Sequence, residues 1–175
     1  GKHFPGHGGI HADTHLSYTE DLRSLDDLKQ HDLIPFHELH NRLGGIMTAH
    51  ISFPEIDNNI ATFSQYWLQN TLREKMKFKG EIFSDDLSMK GTDFIGGIDH
   101  KVQKALESGC TMILICNDRS AALQALRFME KQSTSQSTTL TSLKASKIVS
   151  WEKLENDPRR KDIINQIHNL GLEIA

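Results

Sequence analysis

Two places in the chain carry groups able to move protons or attack carbon. The first is the opening loop, where His3, His7, His11 and His15 recur at every fourth position and Asp13 precedes His15 by two residues. On a helix that spacing would align the imidazoles on one face. Pro5, Gly6, Gly8 and Gly9 each remove a backbone donor or weaken a helix, so the run reads instead as a tightly turned loop. The second place is Asp85-Asp86, which closes the short run Glu81-Ile82-Phe83-Ser84. A carboxylate at a strand end is held rigidly enough to attack an anomeric carbon, and this run offers two, Asp85 and Asp86. In Asp13-Thr14-His15 the carboxylate would orient the imidazole and raise its basicity, and an unperturbed pKa of about 6.5 suits a histidine to giving and taking a proton near neutrality.

The elements that must hold these groups alternate between strand and helix. Leu25, Leu28, Leu33, Phe36 and Leu39 recur at helical spacing, with Pro35 marking a kink or a fresh start, and Gly44-Gly45 ends the pattern. Ile46 to Phe53 is one apolar run of strand length, and Pro54 with Asp57-Asn58-Asn59 supplies loop chemistry. Ser64 caps a helix to about Lys75 that turns Trp67, Leu68 and Leu72 inward. Glu81–Ser84 is a strand, Val102, Ala105 and Leu106 mark a helix stopped by Gly109, and Thr111–Cys116 is a continuous apolar run expected to be buried on both faces. Asn117 or Asp118 caps a helix to about Lys131. A Ser/Thr/Gln tract from Ser133 to Ser142 reads as a linker, and two further helices, 144–153 and 160–170, follow. The domain reading is 1–131, 132–143 and 144–175, the last being helices that pack on the first unit.

Such alternation argues for a parallel α/β fold. A doubly wound sheet competes with part of a (β/α)8 barrel, which typically needs about 250 residues. In both, the site gathers just past the C-terminal ends of the strands, here Lys2-His3, His50, Asp85-Asp86 and Asn117.

Composition narrows the classes. A net charge of -3 and a pI near 6.4 give no electrostatic reason to expect nucleic acid or an anionic membrane as partner. No stretch approaches the roughly twenty apolar residues of a spanning helix. Cys110 and Cys116, in or beside an apolar run, read as reduced core thiols, which favours a reducing compartment.

Lys2-His3-Phe4-Pro5-Gly6-His7-Gly8 with Asp13-Thr14-His15, and Phe78-Lys79-Gly80-Glu81-Ile82-Phe83-Ser84-Asp85-Asp86-Leu87-Ser88-Met89, resemble the signatures of glycoside hydrolase family 3, and most closely its bacterial β-N-acetylglucosaminidase branch. The resemblance covers about residues 1 to 131. It implies the second half of a (β/α)8 barrel, with Asp85 as nucleophile, His15 as acid/base, Asp13 as its dyad partner, and Lys2 and His3 on the hydroxyls of an N-acetylglucosamine ring. It also implies a cytoplasmic enzyme of cell-wall recycling that needs no metal or organic cofactor and acts on small carbohydrates. The family's barrel starts upstream of the Lys-His-Phe motif, so the resemblance implies pairing with a missing N-terminal half, or self-association, to cover exposed sheet edges.

Blander readings stand beside these. The opening loop could be an adventitious metal site, the His-loop metal-binding module; Asp85-Asp86 could be a loop carboxylate pair; and the whole could be a noncatalytic half-barrel or docking subunit. His50 is balanced between a substrate contact and a partner for a nearby carbonyl.

Overall fold

In the computed structural model, residues 1–10, 17–132, 143–145 and 147–170 are described. The chain divides into two compact units, Gly1–Ser142 and Leu143–Ala175.

The first unit is built around a parallel sheet. Its middle strand, β4 (Glu81–Asp86), lies between β1 (Gly45–Met47) and β5 (Met112–Leu114), both parallel to it. The opening residues add a further strand position beside β1. Met47 N–H donates to Gly1 C=O at 2.9 Å, Phe4 N–H to Met47 C=O at 2.8 Å, and Ala49 N–H to Phe4 C=O at 2.7 Å. Ile46, Ile82 and Ser84 are wholly buried, whereas Gly45, Met47, Phe83 and Asp85, which alternate with them, are only half-buried. Helices thus cover one face of the sheet and leave the other partly open, the layering of a barrel wall rather than of a doubly wound sheet.

The covering helices arise where the apolar spacing places them. Ser24 caps α1 (Leu25–Gln30) in a reciprocal capping box with Asp27, and α2 (Leu33–Leu39) restarts after His31-Asp32 with Pro35 in its first turn. Ser64 Oγ accepts from Trp67 N–H at 3.1 Å and opens the helix Tyr66–Lys75, which ends with Met76 N–H donating five residues back to Thr71 C=O. That wide pitch turns Trp67, Leu68 and Leu72 fully inward. The indole meets Phe4 at 6.0 Å and Phe53 and Tyr66 at 5.3 Å, each edge-on. Helix α3 (Ile98–Ser108) stops at Gly109, whose φ of 120° only glycine adopts readily. Asp118 Oδ1 accepts from Ala121 N–H at 2.9 Å and caps α4 (Arg119–Lys131), while Asn117 takes a left-handed turn at φ 58° just before it.

Three expectations change. The run from Ile46 to Phe53 is two strands, because the chain bends after Thr48 and β2 (Ser52–Phe53) pairs antiparallel with β3 (Asp57–Ile60). Asp57-Asn58-Asn59 therefore lies in a strand whose polar residues point outward while Ile60 is buried. The run around β5 is half-buried rather than buried on both faces, because β5 has a hydrogen-bonded neighbour, β4, on one side.

In the second unit, the helix expected from 144 starts at Trp151, since Ser150 Oγ takes the capping bond from Lys153 N–H. This α5 (Trp151–Glu155) is followed by α6 (Pro158–Asn169), opened by Pro158 behind the capping Asp157. The Ser/Thr tract, Ser133 to Ser142, lies outside the described residues. Among the described residues no helix is long and apolar enough to cross a membrane.

Candidate active site

The aspartates at the end of β4 have different surroundings. Phe83 pairs with Met112 and Asp86 with Leu114, so three steps along β4 match two along β5. This bulge at Ser84-Asp85 re-aims the chain where the carboxylates emerge, and Ser84 Oγ secures it by accepting from Leu114 N–H at 2.9 Å. The Asp86 carboxylate is consumed locally. Its Oδ1 accepts from Ser88 N–H, Ser88 Oγ and Cys116 N–H at 2.9, 2.8 and 2.9 Å, and Oδ2 lies 2.8 Å from Ser88 Oγ. Asp85 is 16% exposed, takes Asp86 N–H on Oδ1 at 2.9 Å, and presents Oδ2 to His3 Nε2 at 3.7 Å. The structure thus brings together Asp85, expected as the nucleophile, and His3, expected on the sugar hydroxyls. Lys2, which precedes His3 in the chain, lies near Gly45, Met47 and Phe83.

The His-rich loop is tied down at several points. The His7 ring lies 6.0 Å from that of His3. Gly8 N–H donates to Asp32 Oδ1 at 3.1 Å, and Arg23 bridges Asp32 Oδ2 and Asp21 Oδ2, both at 2.7 Å. Thr19 and Asp21 then run beside Ser52, exchanging backbone bonds of 3.0 and 2.9 Å with it. Asp13 and His15, the expected dyad, lie outside the described residues, between these anchored ends.

The clamp has electrostatic and steric sides. Asp21 first, then Asp32, holds the Arg23 guanidinium protonated well above its usual range. Burial alone would raise Asp32, but Arg23 and Gly8 N–H overcome it and keep this carboxyl below its ordinary value. A depressed carboxyl pKa adds stability that is complete above the unfolded-state value and fades as pH falls through the folded one. The clamp is therefore expected to loosen only in acid, below the ordinary carboxylate range. Gly6 fits because it has no side chain: a Cβ there would lie 2.3 Å from Asp32 Cβ. Gly6→Ala should cost about 1–3 kcal/mol as an overpacking change, and amide exchange at Gly8 should quicken as its bond to Asp32 loosens.

Of the two readings open for His50, its surroundings match the partner for a nearby carbonyl. Its ring is wholly buried, stacks against Phe63 at 6.1 Å, and uses both nitrogens, Nδ1 at 2.9 Å from Thr62 Oγ1 and Nε2 at 3.0 Å from Asp86 C=O. An imidazole enclosed in this way supports the strand ends from behind and offers no nitrogen to a sugar. Burial lowers its pKa, against the upward pull of the Asp85 and Asp86 charges. Two residues that sequence reasoning passed over complete this layer. Thr48 Oγ1 lies 2.7 Å from Thr62 Oγ1 and accepts from Asp85 N–H at 3.3 Å, and Thr62 Oγ1 donates to Ala49 C=O at 3.1 Å. Threonines in an apolar run read simply as strand formers.

Cys110 is buried and its thiol is pushed up to about 12 by burial. Cys116, also expected in the core, is instead exposed beside Asp86, its thiol raised by desolvation and then by the Asp86 and Asp85 charges. At neutral pH a thiol reagent should therefore modify Cys116, slowly, and leave Cys110 untouched until urea is added; peptide mass mapping checks this. Among the described residues no three histidine, cysteine or acidic side chains are grouped to hold a metal ion.

A parallel wall of the barrel type, with a partly exposed carboxylate at a strand end near an imidazole, is a site architecture of the α/β barrel class. Residues 1–147 match the sequence profile of the glycosyl hydrolase family 3 N-terminal domain, and the chain belongs to that family. It is 51% identical over 126 residues to a beta-hexosaminidase of Idiomarina loihiensis, covering 72% of this chain and 38% of that protein. A beta-hexosaminidase of Pseudomonas aeruginosa is 47% identical over 131 residues, covering 75% of this chain and 40% of the relative. Among solved structures, NagZ of Neisseria gonorrhoeae superposes with a TM-score of 0.64 at 34% identity, over 83% of this chain and 45% of that one. The chain thus spans about half the length, or less, of the relatives it matches.

Proposed function

We propose that this chain carries the nucleophile-bearing part of a retaining β-N-acetylglucosaminidase that removes terminal N-acetylglucosamine from peptidoglycan fragments in the cytoplasm. In this reading Asp85 attacks the anomeric carbon and forms a covalent glycosyl-enzyme. His15, oriented by Asp13, protonates the leaving oxygen and then takes a proton from the incoming water. Lys2 and His3 hold ring hydroxyls, and the rest of the barrel comes from further sequence or from a second copy. The observation that carries the assignment is the asymmetry of the aspartates: Asp86 is saturated by Ser88 and Cys116, whereas Asp85 turns an oxygen toward His3 at 3.7 Å. Relatives named beta-hexosaminidase support the substrate class, as does a Neisseria gonorrhoeae NagZ structure in complex with N-trifluoroacetyl-D-glucosamine, 33% identical with a TM-score of 0.66.

The test is hydrolysis of a chromogenic β-N-acetylglucosaminide by this chain alone and by the chain joined to the remainder of a family 3 domain. A slow fluorinated substrate should leave a sugar adduct on the peptide that contains Asp85. An adduct on Asp86, or no hydrolysis by either form, would overturn the reading.

A further inference from the structure

We propose that Thr62 is a positioning residue for the reaction, its single hydroxyl fixing the backbone on both sides of the Asp85 side chain through Thr48 and His50. This rests on Asp85 being the nucleophile.

The argument is a count of protons. A carbonyl only accepts, so the contact of His50 Nε2 with Asp86 C=O at 3.0 Å places a proton on Nε2. With the ring neutral, Nδ1 is left as an acceptor 2.9 Å from Thr62 Oγ1. The Thr62 hydroxyl proton is then shared between His50 Nδ1 and Ala49 C=O, 3.1 Å away. Thr62 has no proton left for Thr48, so at 2.7 Å the Thr48 hydroxyl must donate to Thr62. That turns a Thr48 lone pair toward Asp85 N–H, which lies 3.3 Å away. One arm thus ends on the amide of Asp85 and the other on the carbonyl of Asp86, and both start from the same oxygen.

Thr48, His50 and Thr62 are each wholly buried, so water cannot replace a lost partner. The two arms also brace the strand at the bulge, where the β4 to β5 pairing is irregular and alone would leave the carboxylate's aim loosely set. Removing the hydroxyl at 62 leaves the Thr48 proton without an acceptor and His50 Nδ1 without a donor. The carboxylate would keep its chemistry and lose its aim, which lowers turnover more than binding.

The experiment compares Thr62→Val, Thr62→Ser and Asp85→Asn. Thr62→Val should lower kcat roughly tenfold to a hundredfold with KM changed less than about twofold, and Thr62→Ser should restore it. In a 15N-labelled chain, His50 should show the Nε2–H tautomer, and Thr62→Val should shift the Asp85 amide and the His50 ring nitrogens while Thr62→Ser leaves them in place. An unchanged kcat in Thr62→Val, a loss that Thr62→Ser fails to recover, or unmoved Asp85 and His50 resonances overturns the proposal. If Thr62→Val does not fold, Thr48→Val cuts the same path one bond from Asp85 and is judged on the same readouts. Activity that survives Asp85→Asn sinks the nucleophile assignment whatever Thr62 does. An essential Asp85 with an indifferent Thr62 sinks the positioning role alone.

Discussion

Asp85→Asn is expected to lower hydrolysis of a chromogenic β-N-acetylglucosaminide by on the order of 10⁴-fold or more, the scale set by removing a covalent nucleophile. Asn keeps the shape of the side chain and can still accept Asp86 N–H, a bond of 2.9 Å in the native chain, so the fold should survive. What disappears is the charge that, in the proposed mechanism, forms the bond to the anomeric carbon. Asp86→Asn makes the contrast. Its carboxylate accepts from Ser88 N–H, Ser88 Oγ and Cys116 N–H, joining the end of β4 to the segment after β5. Losing that charge weakens charge-assisted bonds, each worth about 1.5–3 kcal/mol. Asp86→Asn should therefore show as a lower melting temperature and a partial loss of turnover. A variant pair with the opposite ranking, Asp86→Asn inactive and Asp85→Asn merely less stable, would reverse the roles of the two aspartates.

How far the sequence reaches follows from the kind of signal each feature leaves. Strand-end aspartates after an apolar run, and a Gly/Pro loop dense in histidine, are visible because residue types and punctuation carry them, and β4 and the loop's anchored ends lie where those signals place them. Features that depend on pairing register are silent. Nothing in Ile46–Phe53 announces that the chain bends after Thr48 and hands Ser52-Phe53 to a different sheet, since both halves are equally apolar. The bulge beside Asp85 leaves no trace either, because it is a mismatch between two strands and belongs to neither alone. His50 is the instructive case: the residue type alerts the reader to chemistry, but only burial and two partners, Thr62 and Asp86, show which side of the strand the ring occupies. The clamp on the loop is hidden for a similar reason. Asp21, Arg23 and Asp32 look like ordinary surface charges in a polar stretch until the fold brings them onto Gly8.

Trp67→Ala carries the largest expected effect on stability, about 3–5 kcal/mol, the usual cost of emptying a buried Trp site. The indole is wholly buried and touches both layers that hold the site: Phe4 follows His3 directly, and Phe53 belongs to the β2 strand that anchors the return of the His-rich loop. The cavity therefore opens beneath the first strand, and the edge-on contacts with Phe4, Phe53 and Tyr66 vanish together. Partial collapse is restricted because the indole's partners are fixed to different elements, so the upper part of the range applies. The second tryptophan offers the means of measurement. Trp151 is 66% exposed in the separate unit Leu143–Ala175, so Trp151→Phe removes a solvent-exposed emitter and leaves Trp67 as the reporter of the core. In that background, urea unfolding should move emission from blue to red in one transition, giving the reference stability. Trp67→Ala, followed by far-ultraviolet circular dichroism, should unfold at much lower urea with a similar slope. A change below about 1 kcal/mol, the range of a surface substitution, would show that Trp67 does not sit in the close-packed centre of this unit.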